Sequence, residues 1–568
     1  MKWVVPDKID NKTDEALSEY PKILRQLLYN RGLRDKDEVT EFLKPELGNI
    51  PDPLALYDTQ SAAKRIEQAI QDEERIFIHG DFDVDGICAT AILWEYLYRE
   101  RNAKALPYIP SRVDEGYGLS ARSLQAIKKK GGDLVITVDC GIRDAKLITE
   151  FRKTLRRDGL DFIITDHHEL PSKLPHRTTI VHPMHPGGTQ NFGYLSGAAT
   201  VWLLIAAIEK TRDPGNFDLS RVGGLDLVAF ANVCDIVPLT GNNRIMTKFG
   251  IEEMRTSHRT GIQSLCEDAQ IMQYSIDSYH LGYVLGPRIN AAGRIGDPID
   301  ALRLLTTMKS RTALQLAQRL GQLNSERQDL TDLITDQALR QIEVSGTGKH
   351  LYFAYGDDWP AGVIGVVAGK IQEKYNRPVI LISKNGRDSR GSARSIPEFD
   401  IIGAIEKFQD RLVKYGGHPQ AAGFTIEEGE IGGFGDAIVQ YAQEILTEEH
   451  LISKLTADAV VRIEDLSWDT LEIIEKLQPF GYGNRRPLFW LKDASLVDVR
   501  TMGSDGQHLR LTVSGPKQGS LGCVFFGGGE WSTRLASGDC VDLMGYLESN
   551  EWNGETSLQL RIKDLKNN

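Results

Sequence analysis

Three short runs of apolar and β-branched residues, RIFIH (75–79), DLVITVD (133–139) and DFIITD (161–166), alternate with helical stretches such as ICATAILWEYLYRE (87–100). Continuous apolar strands separated by helices need cover on both faces of their sheet, which points to a parallel α/β architecture. Acidic or imidazole groups close each run: His79 with Asp81, then Asp139, then Asp166 with His167. In an open α/β sheet the ligand crevice lies beyond the carboxyl ends of the strands. The polar groups therefore fall where such a fold builds its site.

The rest of the chain is organised around this region. With 568 residues, and roughly 100–200 residues per domain, three or four domains are expected. Residues 1–55 read as a polar helical cap ending in EFLKPELGNIPDPLAL, where Pro45, Pro51 and Pro53 mark a linker or a cap wrapping the next domain. The parallel-sheet domain spans 56–298. From 299 to 345 the chain lacks proline, carries Gly321 alone among glycines, and places Leu and Ala at helical spacing. That spacing predicts one long connecting helix. A second α/β domain follows over 346–450, with LYFAYG, PVILIS and YGGHPQAAG. Beyond EEHLISKL, residues 451–568 carry short alternating runs (HLRLTVSG, GCVFF, LQLRIKDL) with Gly and Asn turns, the pattern of a small antiparallel barrel.

Composition bounds the function. Sixty-seven basic against 79 acidic residues give a net charge of −12, which excludes a uniformly basic nucleic-acid coat but leaves room for a local basic groove. Six scattered cysteines form no C-x-x-C pair, arguing for a reducing, cytoplasmic setting and against structural zinc. The opening MKWVVPDKID lacks the apolar core of a signal peptide. The most apolar run, 198–208, is about half a membrane span. A chain without membrane association is expected.

The chemistry concentrates in four segments. HGDFDVDG (79–86) places Asp81, Asp83 and Asp85 at a strand-to-helix turn, and VDCG supplies Asp139. TDHHE supplies Asp166, His167 and His168, and FANVCDIVPL supplies Asp235 among apolar neighbours. Taken alone, the acidic turn fits a solvated loop or helix cap as well as a cation site. Carboxylate and imidazole groups repeated on successive strand ends fit a metal centre, since like charges this close repel unless cations neutralise them. Oxygen and imidazole donors without thiolate favour Mn²⁺ or Mg²⁺ over zinc, with histidine tilting the choice to Mn²⁺. The carboxylates suffice for two ions, which at about 3.5–4 Å apart serve phosphoryl displacement.

These four segments resemble the motifs of the DHH phosphoesterase superfamily. GPRINAAGR (286–294), GGHPQAAG (416–423) and PFGYGNRRPLF (479–489) further resemble the RecJ family within it, exonucleases specific for single-stranded DNA. The resemblance runs in order along nearly the whole chain. It implies that the second α/β domain is DHHA1-like, that the barrel is an OB-like nucleic-acid platform, and that the extra C-terminal domain of some members is absent. It assigns Asp83, Asp85, Asp139, His167 and Asp235 as metal ligands, with Asp81 as a ligand or the partner of one. His79 matches a ligand histidine of sister families. Asp166 is expected to fix the His167 tautomer, and His168 to face the scissile phosphate as charge stabiliser or as acid to the leaving 3′-oxygen.

An end-directed nuclease needs a pocket for that end. Arginine forks and backbone N–H nests bind phosphate, and three segments offer them: Arg112 in RVDEGYGLS; Arg288, Asn290 and Arg294 in GPRINAAGR; and Ser392, Arg394, Gly417 and His418 in GSARS and GGHPQAAG. A slot of fixed width between the two α/β domains would admit one strand and exclude a duplex. In the barrel, Arg485, Arg486, Arg500, Arg510, Phe525 and Phe526 are candidates for strand binding, although adjacent Phe525 and Phe526 point to opposite faces and one should be core.

The expected activity is metal-dependent hydrolysis of single-stranded DNA from the 5′ end to 5′-mononucleotides, in repair and recombination. Single-strand-binding protein and a helicase are expected partners of a monomer. Polarity and product rest on the resemblance, whereas the residues alone support phosphodiester hydrolysis. Two alternatives are an oligonucleotide or cyclic-dinucleotide phosphodiesterase, against which the third domain argues, and a non-catalytic DNA-binding scaffold, against which the four intact motifs argue.

Overall fold

The computed structural model describes residues 1–111, 115–153, 160–189, 191–515, 519–552 and 554–567. The chain divides into two compact units, one formed by Trp3–Gly286 with Leu455–Asn568, the other by Met1–Lys2 with Pro287–Lys454.

In the first unit a five-stranded parallel sheet runs in the order Ala105–Tyr108, Ile76–His79, Leu134–Val138, Asp161–Thr165, Thr179–Val181. The three runs read from sequence are its central strands, and all four residues of Ile76–His79 and all five of Leu134–Val138 are buried. The Val84–Trp94 helix that follows the first of them is apolar on every side and almost wholly buried, so it packs at the centre of the domain. Asp83 caps it, accepting from the backbone of Gly86. The Gly197–Arg212 and Leu225–Cys234 helices pack against it. No helix among the described residues is long and apolar enough to cross a membrane.

The same unit contains the C-terminal barrel. Its six strands run Ala459–Val461, Phe489–Met502, His508–Ser514, Ser520–Phe525, Glu555–Asn567, Cys540–Trp552. Pairing of Phe489–Met502 with Cys540–Trp552 closes it, which removes most free strand edge. The N-terminal helices differ from the expected cap on the neighbouring domain. Leu17, Leu24, Leu27, Leu28 and Val39 are buried in one core with the barrel residues Phe489, Leu509, Leu543 and Leu560. The cause is the apolar stripe Leu24–Leu27–Leu28 at helical spacing, which finds the open side of the barrel core rather than the α/β layer.

The second unit is a five-stranded mixed sheet in the order Leu412–His418, Ala421–Ile426, Ser389–Arg394, Val379–Ser383, Tyr352–Gly356, in which only the last pair is parallel. The region expected as one helix is two, Ile299–Thr306 and Ser310–Ser345, the second 36 residues long. The break falls at Thr307, whose hydroxyl accepts from the Lys309 backbone N–H and so competes with the helical ladder.

Candidate metal centre

The strand ends converge as the sequence pattern requires. The sharp turn after Leu134–Val138 puts Asp139 at φ 61°, a left-handed conformation uncommon outside glycine and concentrated at functional positions. Its carboxylate Oδ1 lies 3.0 Å from His167 Nε2. The same imidazole nitrogen is 3.5 Å from Asp85 Oδ2 and 3.7 Å from Asp235 Oδ2. Three donor groups result, each with ligand atoms within 4.8 Å of one another: Asp139, His167, His168; Asp85, His167, Asp235; and Asp81, Asp83, Asp139. His167 belongs to two of them and Asp139 to two, so the set is continuous.

The electrostatics follow from burial of like charges. Burial first, and then the carboxylates of Asp85, Asp83, Asp235 and Asp81, push Asp139 well above the usual carboxylate range. Burial followed by the charge of Asp85 pushes Asp235 up to about 8, and burial also raises Asp85. For His167 burial opposes the charge, but the carboxylates, Asp235 foremost, outweigh it and raise the pKa. The ion pairs described for Asp85, Asp139 and Asp235 run only to the imidazoles of His167 and His168. A nest of acids whose described ion partners are two imidazoles fits divalent ions, which reverse this repulsion. The donors are carboxylate and imidazole only, the set suited to Mn²⁺ or Mg²⁺.

Individual residues depart from expectation. Asp235 is not on a strand end: it closes the Leu225–Cys234 helix, with its side chain 26% exposed. Asp166 does not orient His167. Its Oδ1 accepts from the backbone N–H groups of His167 and His168 and bonds His168 Nδ1 at 2.8 Å, while Oδ2 accepts from Ile142 N. The reason is local: the chain turns over the carboxylate so that the ring two residues on folds back to it, leaving the His167 ring for the other acids. Burial disfavours charge on Asp166, yet the hydrogen bond and charge of His168 hold it down at about 2. Asp85 also accepts from the backbone N–H groups of Gly197 and Ala198 at 2.6 and 2.7 Å, neutralising a helix N-terminus. His79 joins none of the donor groups. It is buried, stacked on Tyr108, and lowered to about 4 by burial.

Tyr117, which sequence reading passed over, donates to the Asp139 carbonyl at 3.2 Å and lies 3.0 Å from His168 Nδ1. Its only signal in sequence is its place in RVDEGYGLS. Arg112, from the same segment, lies outside the described residues.

In the other unit, Arg288, Asn290 and Arg294 lie on the Gly286–Ile295 helix, with Asn290 and Arg294 one turn apart on one face. Arg294 donates to the Gly362 carbonyl at 3.0 Å, in the first turn of the Ala361–Tyr375 helix. A Cβ on Gly365, one turn further, would stand 2.9 Å from Ser392 Oγ and 3.2 Å from Arg394 Nη2. Arg294 thus meets the first turn of this helix, and Ser392 and Arg394 lie against its second. The glycines at 362 and 365 are assigned no role from sequence. Sheet pairing sets Ser392 opposite Gly423 and Arg394 opposite Ala421, and Ala421 in turn opposite His418 beside Gly417. Gly417 and His418 are exposed. Arg394 also lines a cleft of about 650 Å³ with Arg327 and Lys370.

In the barrel, Phe525 packs on the core and Phe526 is exposed, the expected split. Arg485, Arg500 and Arg510 are exposed, and Arg500 pairs with Asp498 at 2.7 Å. Arg486 is half-buried and donates to the Leu547 carbonyl.

A curated relative, the single-stranded-DNA-specific exonuclease RecJ of Bacillus subtilis (strain 168), is 33% identical over 573 residues, covering 99% of this chain and 70% of the relative. The chain belongs to the RecJ family. Family models match in the order of its domains: the DHH family N-terminal domain at residues 75–229, the DHHA1 domain at 348–446 and the RecJ OB domain at 457–564. RecJ of Thermus thermophilus, solved in complex with Mn²⁺, superposes with a TM-score of 0.83 at 29% identity over 100% of this chain and 79% of that one. Its complex with Mg²⁺ gives a TM-score of 0.78 at 27% identity over 100% and 78%.

Proposed function

We propose that the chain is a two-metal phosphodiesterase that hydrolyses single-stranded DNA from its 5′ end and releases 5′-mononucleotides, in DNA repair and recombination. The observation that carries this reading is the continuous donor set, in which Asp139 and His167 are each shared between groups. Its support from kinship is a RecJ relative whose own name is single-stranded-DNA-specific exonuclease.

Asp81, Asp83, Asp85, Asp139, His167 and Asp235 would hold the ions, Mn²⁺ or Mg²⁺. Bound there, such ions would supply the positive charge that an in-line displacement at phosphorus needs. Asp166, ionised at about pKa 2, keeps the Nδ1 proton of His168 and turns its Nε2 edge, flanked by Tyr117 at 3.4 Å, toward substrate. His168 then stabilises charge on the scissile phosphate or protonates the leaving 3′-oxygen. Arg288, Asn290, Arg294, Ser392, Arg394, Gly417 and His418 bind the strand end, and Arg112 joins them on sequence grounds. The barrel holds the following nucleotides through Arg485, Arg500, Arg510 and Phe526. Single-strand-binding protein and a helicase are the partners this reading assigns, and the cytoplasm is its setting.

The test is digestion of single strands labelled at either end, with and without Mn²⁺. Metal-dependent release of labelled mononucleotide from the 5′ end alone is expected. Release from the 3′ end first, or hydrolysis restricted to dinucleotides, would overturn the reading.

A further inference from the structure

Asp235 ends a helix at a point where the backbone needs support. The next residue, Ile236, is 66% exposed and adopts φ 59°, a conformation that a β-branched residue holds only when neighbours over-determine it. Part of the support is local. Asp235 N–H donates to Ala231 O at 2.8 Å, Val237 N–H to Asn232 O at 3.3 Å, and Asn243 Nδ2 to Pro238 O at 3.1 Å.

The remaining support comes from more than 240 positions along the chain, by the difference between Leu239 and Tyr482: the Leu239 N–H donates to the Tyr482 carbonyl at 2.7 Å. Flanking glycines let the two segments touch. A Cβ on Gly481 would stand 2.6 Å from Leu239 Cδ1, and Gly483, at φ 75°, would bring one within 3.2 Å of Pro238 Cβ. The loop that makes these contacts is itself braced. Gly481 and Asn484 exchange backbone hydrogen bonds. Asn484, 1% exposed, donates from Nδ2 to the carbonyls of Leu477 and Pro479 at 2.8 Å each, and its Oδ1 accepts from Arg31 Nε at 2.8 Å. Arg244, 2% exposed and five residues beyond Leu239, donates to Leu477 O at 2.9 Å and Phe42 O at 3.1 Å.

We propose that the PFGYGN loop (479–484), which leads into the barrel, positions Asp235 for the metal ions, with Gly481 and Asn484 as positioning residues. The motif is then explained by ion affinity in the α/β domain rather than by strand binding in the barrel. The inference rests on the reading of Asp235 as a ligand.

The experiment is Mn²⁺ binding to the full chain, followed by the electron paramagnetic resonance of the free ion, well below each protein's melting temperature and without DNA. Asp235→Asn serves as the reference. Gly481→Ala, which forces Leu239 aside, and Asn484→Ala, which unbraces the loop, are each expected to weaken binding about tenfold, the lower end of the effect seen when groups orienting a ligand are lost. Far-ultraviolet circular dichroism should stay that of the parent, so that a merely structural role, which shifts melting and leaves Mn²⁺ affinity alone, is told apart. Undiminished Mn²⁺ affinity in both folded variants, while Asp235→Asn loses it, overturns the positioning role. If Asp235→Asn also binds Mn²⁺ as the parent does, the ligand reading of Asp235 falls instead, and this inference with it.

Discussion

The acidic cluster of the first unit and the surface of the second to which strand-end binding is proposed are built on opposite principles. Asp139, Asp166 and Asp85 are almost wholly buried on strand ends and helix starts, where a low dielectric magnifies every charge. Gly417 and His418 are exposed, and Arg294, Ser392 and Arg394 are half-exposed beside glycines in the first two turns of a helix. Chemistry at phosphorus needs charges fixed before the substrate arrives, because reorganising them later costs rate. Recognition of a chain end needs backbone and side-chain donors that a flexible strand can reach. The difference teaches that substitutions in the two places should separate turnover from engagement.

The sharpest break is expected at Asp139→Ala, which removes a donor shared by two groups. Single-turnover hydrolysis should fall on the order of 10³-fold or more, the scale at which loss of a key electrostatic group registers, with single-strand affinity kept. Retained cleavage would remove Asp139 from the metal centre. Asp166→Asn should follow, with kcat down about 10²-fold, as for a mispositioned general acid, and KM little changed. A rise in KM alone would move Asp166 to the engagement side. Arg288→Ala should act the other way: KM for linear 5′-phosphorylated strands should rise about tenfold, as charge-assisted hydrogen bonds worth roughly 1.5–3 kcal/mol are lost, while binding to circular strands is unaffected. Equal losses on both would erase its assignment to the end. The smallest effect should appear in salt. Affinity should fall steeply with ionic strength, and Arg288→Ala should flatten the log–log slope by about 0.7, one phosphate contact on a single strand.

Much of the metal centre was legible because period and position coincide. Apolar runs of five end in Asp139 and in the Asp166–His168 turn, and a parallel sheet leaves such ends nowhere to go but one edge. What stayed hidden was choice of partner. Asp166 had two neighbouring imidazoles to serve, and only the backbone path shows that it holds His168. That Asp235 sits on a helix end was hidden because FANVCDIVPL is apolar with either period, and a run that short does not distinguish helix from strand. Gly362 and Gly365 carry no signal in sequence, since the arginines they admit lie far off along the chain. Likewise the stripe Leu24–Leu27–Leu28 declared a buried face without naming what would bury it.

That stripe has a consequence for how the polypeptide matures. Its partners begin near Val461 and end at Leu565, so during synthesis these helices wait, their leucines bare, until the barrel strands emerge. Such long loop closure is slow and leaves sticky surface for chaperones to guard. Removing the Lys22–Asn30 helix or the Glu555–Asn567 strand should therefore injure the same interior.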